Sequence, residues 1–227
     1  MDLAVSGLTK KFGDKIVFDR LSVTFRENRI TALLGGSGVG KTTLLRCVAG
    51  LNDYEGEIHG AEEGVAYVFQ EDRLIPHLTV YDNLLFTAEK NTGKETIAEI
   101  LRAVELTEEA ARLPSTLSGG QKKRVSLARA FLSPKKVLLM DEPFGSLDAG
   151  LKNRLKKVFF GLNEKFPKTV VFVTHDIEEA LAFSDDVIVL GRGGIAFSAE
   201  ILSAKETRDV TDDRCNAIRR DLLAVLS

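Results

Sequence analysis

The residues best suited to chemistry lie together in Gly35-Gly36-Ser37-Gly38-Val39-Gly40-Lys41-Thr42, which fits the phosphate-cradling pattern G-x-x-x-x-G-K-[ST]. Glycines at this spacing let the backbone wrap a phosphate chain with its N–H groups pointing inward, where a Cβ would obstruct both the turn and the approach. Lys41 is expected to reach the β- and γ-phosphates as a point charge, and the Thr42 hydroxyl to ligate Mg²⁺. A helix beginning near Lys41 adds its positive end. A plain glycine-rich turn between strand and helix would have no need of the Lys-Thr pair, so the stretch predicts a nucleoside triphosphate site.

Other candidates lie where apolar runs end. Val137-Leu138-Leu139-Met140 is followed by Asp141-Glu142, and adjacent carboxylates repel each other unless a cation lies between them and a substrate. Asp141 is therefore read as a Mg²⁺ partner and Glu142 as the base for an attacking water, against the alternative of a solvated strand-end pair. His175 follows Thr169–Val173, and Gln70 follows Val65-Ala66-Tyr67-Val68-Phe69. Carboxyl ends of buried strands are where open α/β sheets place ligand contacts, although a lone His or Gln there more often belongs to a loop. Phe12 could stack on a purine base or cover the core, and the residues alone favour the core. Ser118 and Gln121 form an S-x-x-Q capping box. Gly119 and Gly120 between them are unfavourable in a first helical turn and leave a bare N-terminus suited to an anion.

These groups need a scaffold, and the hydrophobic pattern supplies one. Leu3–Val5, Ile16–Phe18, Leu21–Phe25 and Ile30–Leu34 read as strands, and residues 42–51 as the helix after the phosphate loop. Between residues 71 and 132 the period changes from two to 3.6. Thr79-Val80-Tyr81-Asp82 opens one helix, Ile97, Ile100, Leu101 and Val104 share a face of a second, and Val125, Ala128 and Leu132 a face of a third. Leu151 to Leu162 reads as a helix, Asp176 and Glu179 cap another, Asp186–Leu190 with Gly194–Phe197 form a hairpin, and Ile218, Leu222 and Leu226 line a terminal helix.

Composition narrows the class. With 31 Lys plus Arg against 33 Asp plus Glu, no global field favours nucleic acid. Cys47 and Cys215 stand too far apart in sequence for a C-x-x-C pair, so a disulfide framework or zinc site is not expected and a reducing cytoplasm suits them. No apolar run reaches the roughly 18 residues of a spanning helix, and the start lacks the pattern of a signal peptide.

Leu117-Ser118-Gly119-Gly120-Gln121, coming after the phosphate loop and before Val137–Pro143, resembles the signature of the nucleotide-binding subunit of ATP-binding cassette transporters. The resemblance covers essentially the whole chain. It implies ATP and Mg²⁺ as cofactors, Phe12 as the adenine-stacking aromatic and Gly35 to Thr43 as the phosphate loop. It also implies Gln70 in the Mg²⁺ and water region, Asp141 and Glu142 as metal partner and catalytic carboxylate, and His175 as the γ-phosphate switch. Ser146-Leu147-Asp148 resembles a loop that crosses a dimer interface. Residues 117–121 of one subunit would close over the ATP of another in a head-to-tail pair. Phe12 replaces the commoner Tyr and Thr42 the frequent Ser, with no loss of stacking or hydroxyl.

The fold class that follows is α/β, with a P-loop NTPase core, an N-terminal antiparallel β layer and a helical signature subdomain. The whole of 1–227 would form one ATPase domain, with 1–70 and 133–227 as core lobe and 71–132 as helical lobe. The implied function is ATP-driven solute import by a dimer on the inner face of the cell membrane. Its partners would be an integral membrane permease and a substrate-binding protein, with no nucleic acid. Arg73-Leu74-Ile75-Pro76-His77-Leu78 would receive a cytoplasmic helix of the permease. Residues 69–80 and 173–180 look like importers of the nitrate, sulfonate and taurine type. Rival readings are a cassette that regulates a membrane complex without moving solute, and a mechanical or nucleic-acid ATPase. The latter usually carries two cassettes or a coiled-coil insert, which this sequence lacks.

Overall fold

The computed structural model describes residues 1–145, 148–201 and 209–226. Its first layer is antiparallel: β1 (Leu3–Phe12) lies between β2 (Lys15–Phe25) and β4 (Glu55–His59). The two short strands expected at 16–18 and 21–25 are one continuous strand. Arg20 takes a left-handed φ of 55° and the register against β1 shifts nearby, so a bulge breaks the alternation that a reader would take for a turn.

The second sheet has six strands in the order β5 (Val65–Val68), β6 (Val137–Asp141), β7 (Thr169–Val173), β3 (Ile30–Leu34), β8 (Asp186–Gly191) and β9 (Gly194–Glu200). All neighbours run parallel except β9, which returns as the expected hairpin. Central strands are apolar on both faces because both faces are covered. Ile30, Ala32, Leu138, Met140, Val170 and Phe172 point to one buried cluster, whereas Leu33, Leu139, Val171 and Val173 point to the other. The second cluster is shared with α1 (Lys41–Val48) and the antiparallel layer. The first is shared with α2 (Val80–Thr87), α3 (Lys94–Ala103), α4 (Gly119–Leu132) and α5 (Ala149–Lys165), and with α6 (Ile177–Phe183) and α7 (Asp213–Leu226).

Local chemistry sets the helix ends. α1 stops three residues short of the expected Leu51, because Leu51 N–H bonds the Arg46 carbonyl and Gly50, at φ 67°, bonds that of Cys47. That pair of bonds is a Schellman stop. Thr79 caps α2 by accepting from Asp82 N–H, and Asp176 caps α6 by accepting from Glu178 and Glu179 N–H. In α7 the buried face carries Cys215, Ile218 and Leu222.

At the far end of α4, Lys168 donates to the carbonyls of Ser133 and Lys135, at 2.7 and 2.5 Å, while only 4% exposed. Burial pushes its pKa down to about 8 from 10.5. Below about pH 8 the ammonium is charged in folded and unfolded chains alike, and its burial cost is fully present. Between there and pH 10.5 the folded chain gives up the proton while the unfolded chain keeps it, so stability should rise with pH. Relative to Lys168→Met, the wild-type chain is expected to gain roughly 3 kcal/mol across that window, read by urea unfolding at several pH values. A pH-independent difference would mean that the buried amine never loses its charge.

Candidate nucleotide site

The register brings three strand ends level. Val173 pairs with Leu33 on one side and Asp141 on the other, so the phosphate loop, Glu142 and His175 all emerge at the same edge of the sheet. They surround a cleft of about 500 Å³. Phe12, Lys15 and Val17 of the antiparallel layer form its outer wall, facing Gly35, Ser37, Gly38 and the segment 40–43, with Glu142, Val173 and His175 at the end. Phe12 is 51% exposed, with the Lys10 ammonium 4.7 Å from its ring centroid, so it is not the core residue that its neighbours in sequence suggested. Lys15 and Val17 were missed by sequence reading because nothing in a strand's alternation distinguishes a cleft wall from open surface.

The loop's glycines answer to different constraints. Gly38 holds φ 75°, and at Gly40 a Cβ would lie 2.6 Å from the Phe18 ring. Lys41 Nζ donates to the carbonyls of Gly35 and Gly36, at 2.7 and 2.9 Å, and so sits within the loop's own curl. Burial lowers its pKa, opposed by the charges of Glu142 and Asp141.

Thr42 Oγ1 donates to Asp141 Oδ1 at 2.9 Å. Asp141 is 8% exposed; burial raises its pKa, and the bond from Thr42 opposes that rise. The Tyr67 hydroxyl also lies beside Asp141; burial drives its own pKa upward, and the oxygen has no close hydrogen-bond partner. A buried carboxylate and a hydroxyl, both hard oxygen donors, at the mouth of a phosphate-shaped loop fit Mg²⁺. Among the described residues no group of three or more His, Cys, Asp or Glu could hold an ion. Phosphate oxygens and water would complete the shell, which is how Mg²⁺ is commonly held.

Glu142 is the hub of the site. It adopts a left-handed φ of 47°, unusual for a non-glycine residue, between Asp141 and Pro143, and its N–H is held by the Val173 carbonyl at 3.1 Å. Gln70 Nε2 donates to Glu142 Oε2 at 3.3 Å, and His175 Nδ1 lies 3.5 Å from Glu142 Oε1. Gln70, expected in the Mg²⁺ and water region as a catalytic and metal-side residue, touches the carboxylate of Glu142 in this structure. His175 is 70% exposed, with room to turn.

Residues Leu117, Ser118, Gly119, Gly120 and Gln121 do not line the cleft. Both halves of the capping box form: Ser118 Oγ accepts from Gln121 N–H, and Gln121 Oε1 accepts from Ser118 N–H. A Cβ at Gly120 would press on Leu151, but one at Gly119 would meet nothing within 4 Å. The fold of one chain thus gives no reason for Gly119. Asp148 caps α5 by accepting from Leu151 N–H, while Ser146 and Leu147 lie outside the described residues. The apolar seam expected at 73–78 is partly closed: Leu74 packs against the larger core cluster and Asn83 bonds the carbonyls of Ile75 and Leu78. Exposed apolar surface lies instead on α2, at Leu85 (44%) and Phe86 (68%).

The profile of a family described as ABC transporter matches residues 18–145. The chain belongs to the ABC transporter family. Aliphatic sulfonates import ATP-binding protein SsuB 2 of Rhodococcus jostii is 41% identical over 226 residues, which cover 98% of this chain and 91% of that protein. Sulfate/thiosulfate import ATP-binding protein CysA 2 of Shewanella oneidensis is 40% identical over 215 residues, 86% of this chain and 61% of the longer relative. Among solved structures, the dimeric post-hydrolysis state of the ATP-binding cassette MJ0796 bound to ADP and Pi superposes with a TM-score of 0.73. It is 28% identical, and the match covers 90% of this chain and all of that one. The α/β sheet, antiparallel layer and helical segment are those of an ABC cassette, and the chain is an ATP-binding subunit of this family. Among the described residues no helix is long and apolar enough to cross a membrane.

Proposed function

We propose that this chain is a Mg²⁺-dependent ATPase that works as a pair of cassettes, each completing the other's site, and drives an importer for a sulfur oxyanion through a separate membrane permease. The observation that carries the reading is the separation, within one chain, of the signature at residues 117–121 from the cleft, together with a Gly119 whose missing Cβ leaves open space. A glycine facing emptiness beside a helix N-terminus is suited to the close approach of an anion. A second copy's nucleotide supplies one.

Within each cleft, Lys41 would exchange the Gly35 and Gly36 carbonyls for β- and γ-phosphate oxygens, and Phe12 would stack on the base. Thr42 and Asp141 would hold Mg²⁺, which neutralises phosphate charge. Glu142 would orient a water and take its proton, with Gln70 and His175 fixing its carboxylate on either side. His175, the more exposed of the two, would turn to donate to a γ-phosphate oxygen. The purified chain should hydrolyse ATP with Mg²⁺ and stop when the metal is chelated. Its deletion should abolish growth on a sulfonate or sulfate as sole sulfur source. Growth unchanged on every sulfur oxyanion would refute the solute class and leave the ATPase reading to stand on its own assay.

The permease would dock on α2. Leu85 and Phe86 present apolar surface that costs free energy in water unless a partner covers it, and a short amphipathic helix is the usual occupant of such a face. Leu74, half-buried against the core, is a poor probe of docking. Phe86→Glu is expected to prevent co-purification with the membrane subunit while leaving ATPase of the isolated chain within about twofold. Retained co-purification would move the dock elsewhere.

A further inference from the structure

We propose that Lys152 is a positioning residue for His175, tying the switch to the helix that Asp148 caps; this rests on the ATPase reading above. His175 itself is 70% exposed, and its Nδ1 lies 3.5 Å from Glu142 Oε1. The backbone that carries the ring toward Glu142 is set by its neighbours Thr174 and Asp176, and both are held by one network. Glu179 on α6 is 5% exposed, and its Oε2 accepts from Thr174 Oγ1 at 2.6 Å. Thr174 Oγ1 in turn accepts from Asp176 N–H at 3.1 Å. Lys152 closes the network from α5, with Nζ 2.6 Å from Glu179 Oε1 and 3.3 Å from Asp176 Oδ2.

Lys152 is as firmly tied at its other end. Its N–H bonds the carbonyl of Asp148 at 2.9 Å, while the Asp148 side chain accepts from Leu151 N–H at 3.0 Å. Leu151 is also the residue that packs on Gly120 in the signature turn. One turn of α5 therefore touches the interface loop, the signature and the network flanking His175. A buried carboxylate is costly unless its charge is matched, so Lys152 cannot leave Glu179 without a change in the segment 174–179. A shift of Asp148 on pairing of two chains would be passed along this single lysine to the loop that aims His175.

A purely structural role would lower stability but would leave His175 and Lys152 independent. The test is a double-mutant cycle with Lys152→Met and His175→Ala, joined to NMR of the imidazole ring, which is tractable because the chain has three histidines. Lys152→Met should lower kcat about tenfold with nucleotide binding unchanged, and Lys152→Arg should restore at least about half of it. On the His175→Ala background, Lys152→Met should have almost no further effect. The His175 ring resonance of the nucleotide-free chain should move in Lys152→Met and return in Lys152→Arg. Multiplying losses in the cycle, or an unmoved ring resonance, would overturn the proposal. If Lys152→Met fails to fold, Glu179→Gln takes its place, since it keeps an acceptor for Thr174 and removes the charge that Lys152 grips. The cycle and the ring resonance of that variant decide the proposal in the same way. A wild-type chain without ATPase activity would refute the enzymatic reading, while the ring resonance would still decide whether Lys152 aims His175.

Discussion

Glu142→Gln is expected to bind ATP as the wild-type chain does and to lose on the order of 10²-fold or more in turnover. The amide keeps the size of the carboxylate and still offers an oxygen to Gln70, so the cleft's shape is retained. The left-handed backbone at this residue suits Gln no less than Glu, and no new strain enters. What disappears is the basic oxygen proposed to take the proton of water. Binding and cleavage should separate, and the ATP-bound pair should accumulate, visible by sedimentation as a dimer that persists while ATP lasts. Steady-state hydrolysis near the wild-type rate would remove Glu142 from its proposed role, and would leave Asp141, bonded to Thr42, as the remaining carboxylate at the strand end.

Mixing two inactive chains, Lys41→Ala and Ser118→Arg, is expected to restore hydrolysis. Lys41→Ala removes the ammonium at the centre of its own phosphate loop, whereas Ser118→Arg places bulk and charge at the signature turn and leaves its own cleft untouched. If the signature serves the other chain's nucleotide, a mixed pair collects both lesions in one site and keeps the second intact. Up to about half of the wild-type activity per mixed dimer should return if the two sites turn over independently. Demonstrated heterodimers that stay inactive would count against a signature acting across the interface. Because Ser118 Oγ caps α4, Ser118→Arg should also cost about 1 kcal/mol of stability, so melting of that variant must be recorded alongside.

Much of this site is visible without coordinates because its chemistry is local. A phosphate loop needs its glycines, lysine and hydroxyl within eight residues, and the helix N-terminus that assists them is the same stretch of chain. Asp141 and Glu142 are legible for a related reason: two adjacent carboxylates closing an apolar strand, in a chain with a phosphate loop, point to a cation and a reaction more readily than to a solvated pair. The capping boxes at Thr79 and Ser118 are readable because side chain and backbone lie three residues apart; the Ser118 box closes in both directions, whereas at Thr79 only the hydroxyl's half forms, the Asp82 carboxylate accepting from Thr79 Oγ1 rather than from its N–H.

The sequence determined the two sheets' main strands, the helical segment between residues 71 and 132, the phosphate loop and the identity of the chain as a cassette, since periodicity and short-range spacing carry all of these. Tertiary structure alone decided how those pieces meet. The strand order, with β3 between β7 and β8, comes from long-range pairing that no local pattern encodes, and it is what levels Asp141, Val173 and Leu33. It placed Gln70 on Glu142, exposed Phe12 in the cleft, packed Leu74 half-buried against the core and left Phe86 on the surface. It also joined Lys152 to Glu179 across two helices, a contact invisible in a sequence where a lysine on a helix face looks like any solvated charge. The division has one physical cause: hydrogen bonds and periodicities within a few residues are written in residue type, whereas burial and charge pairing depend on which surfaces the folded chain brings together.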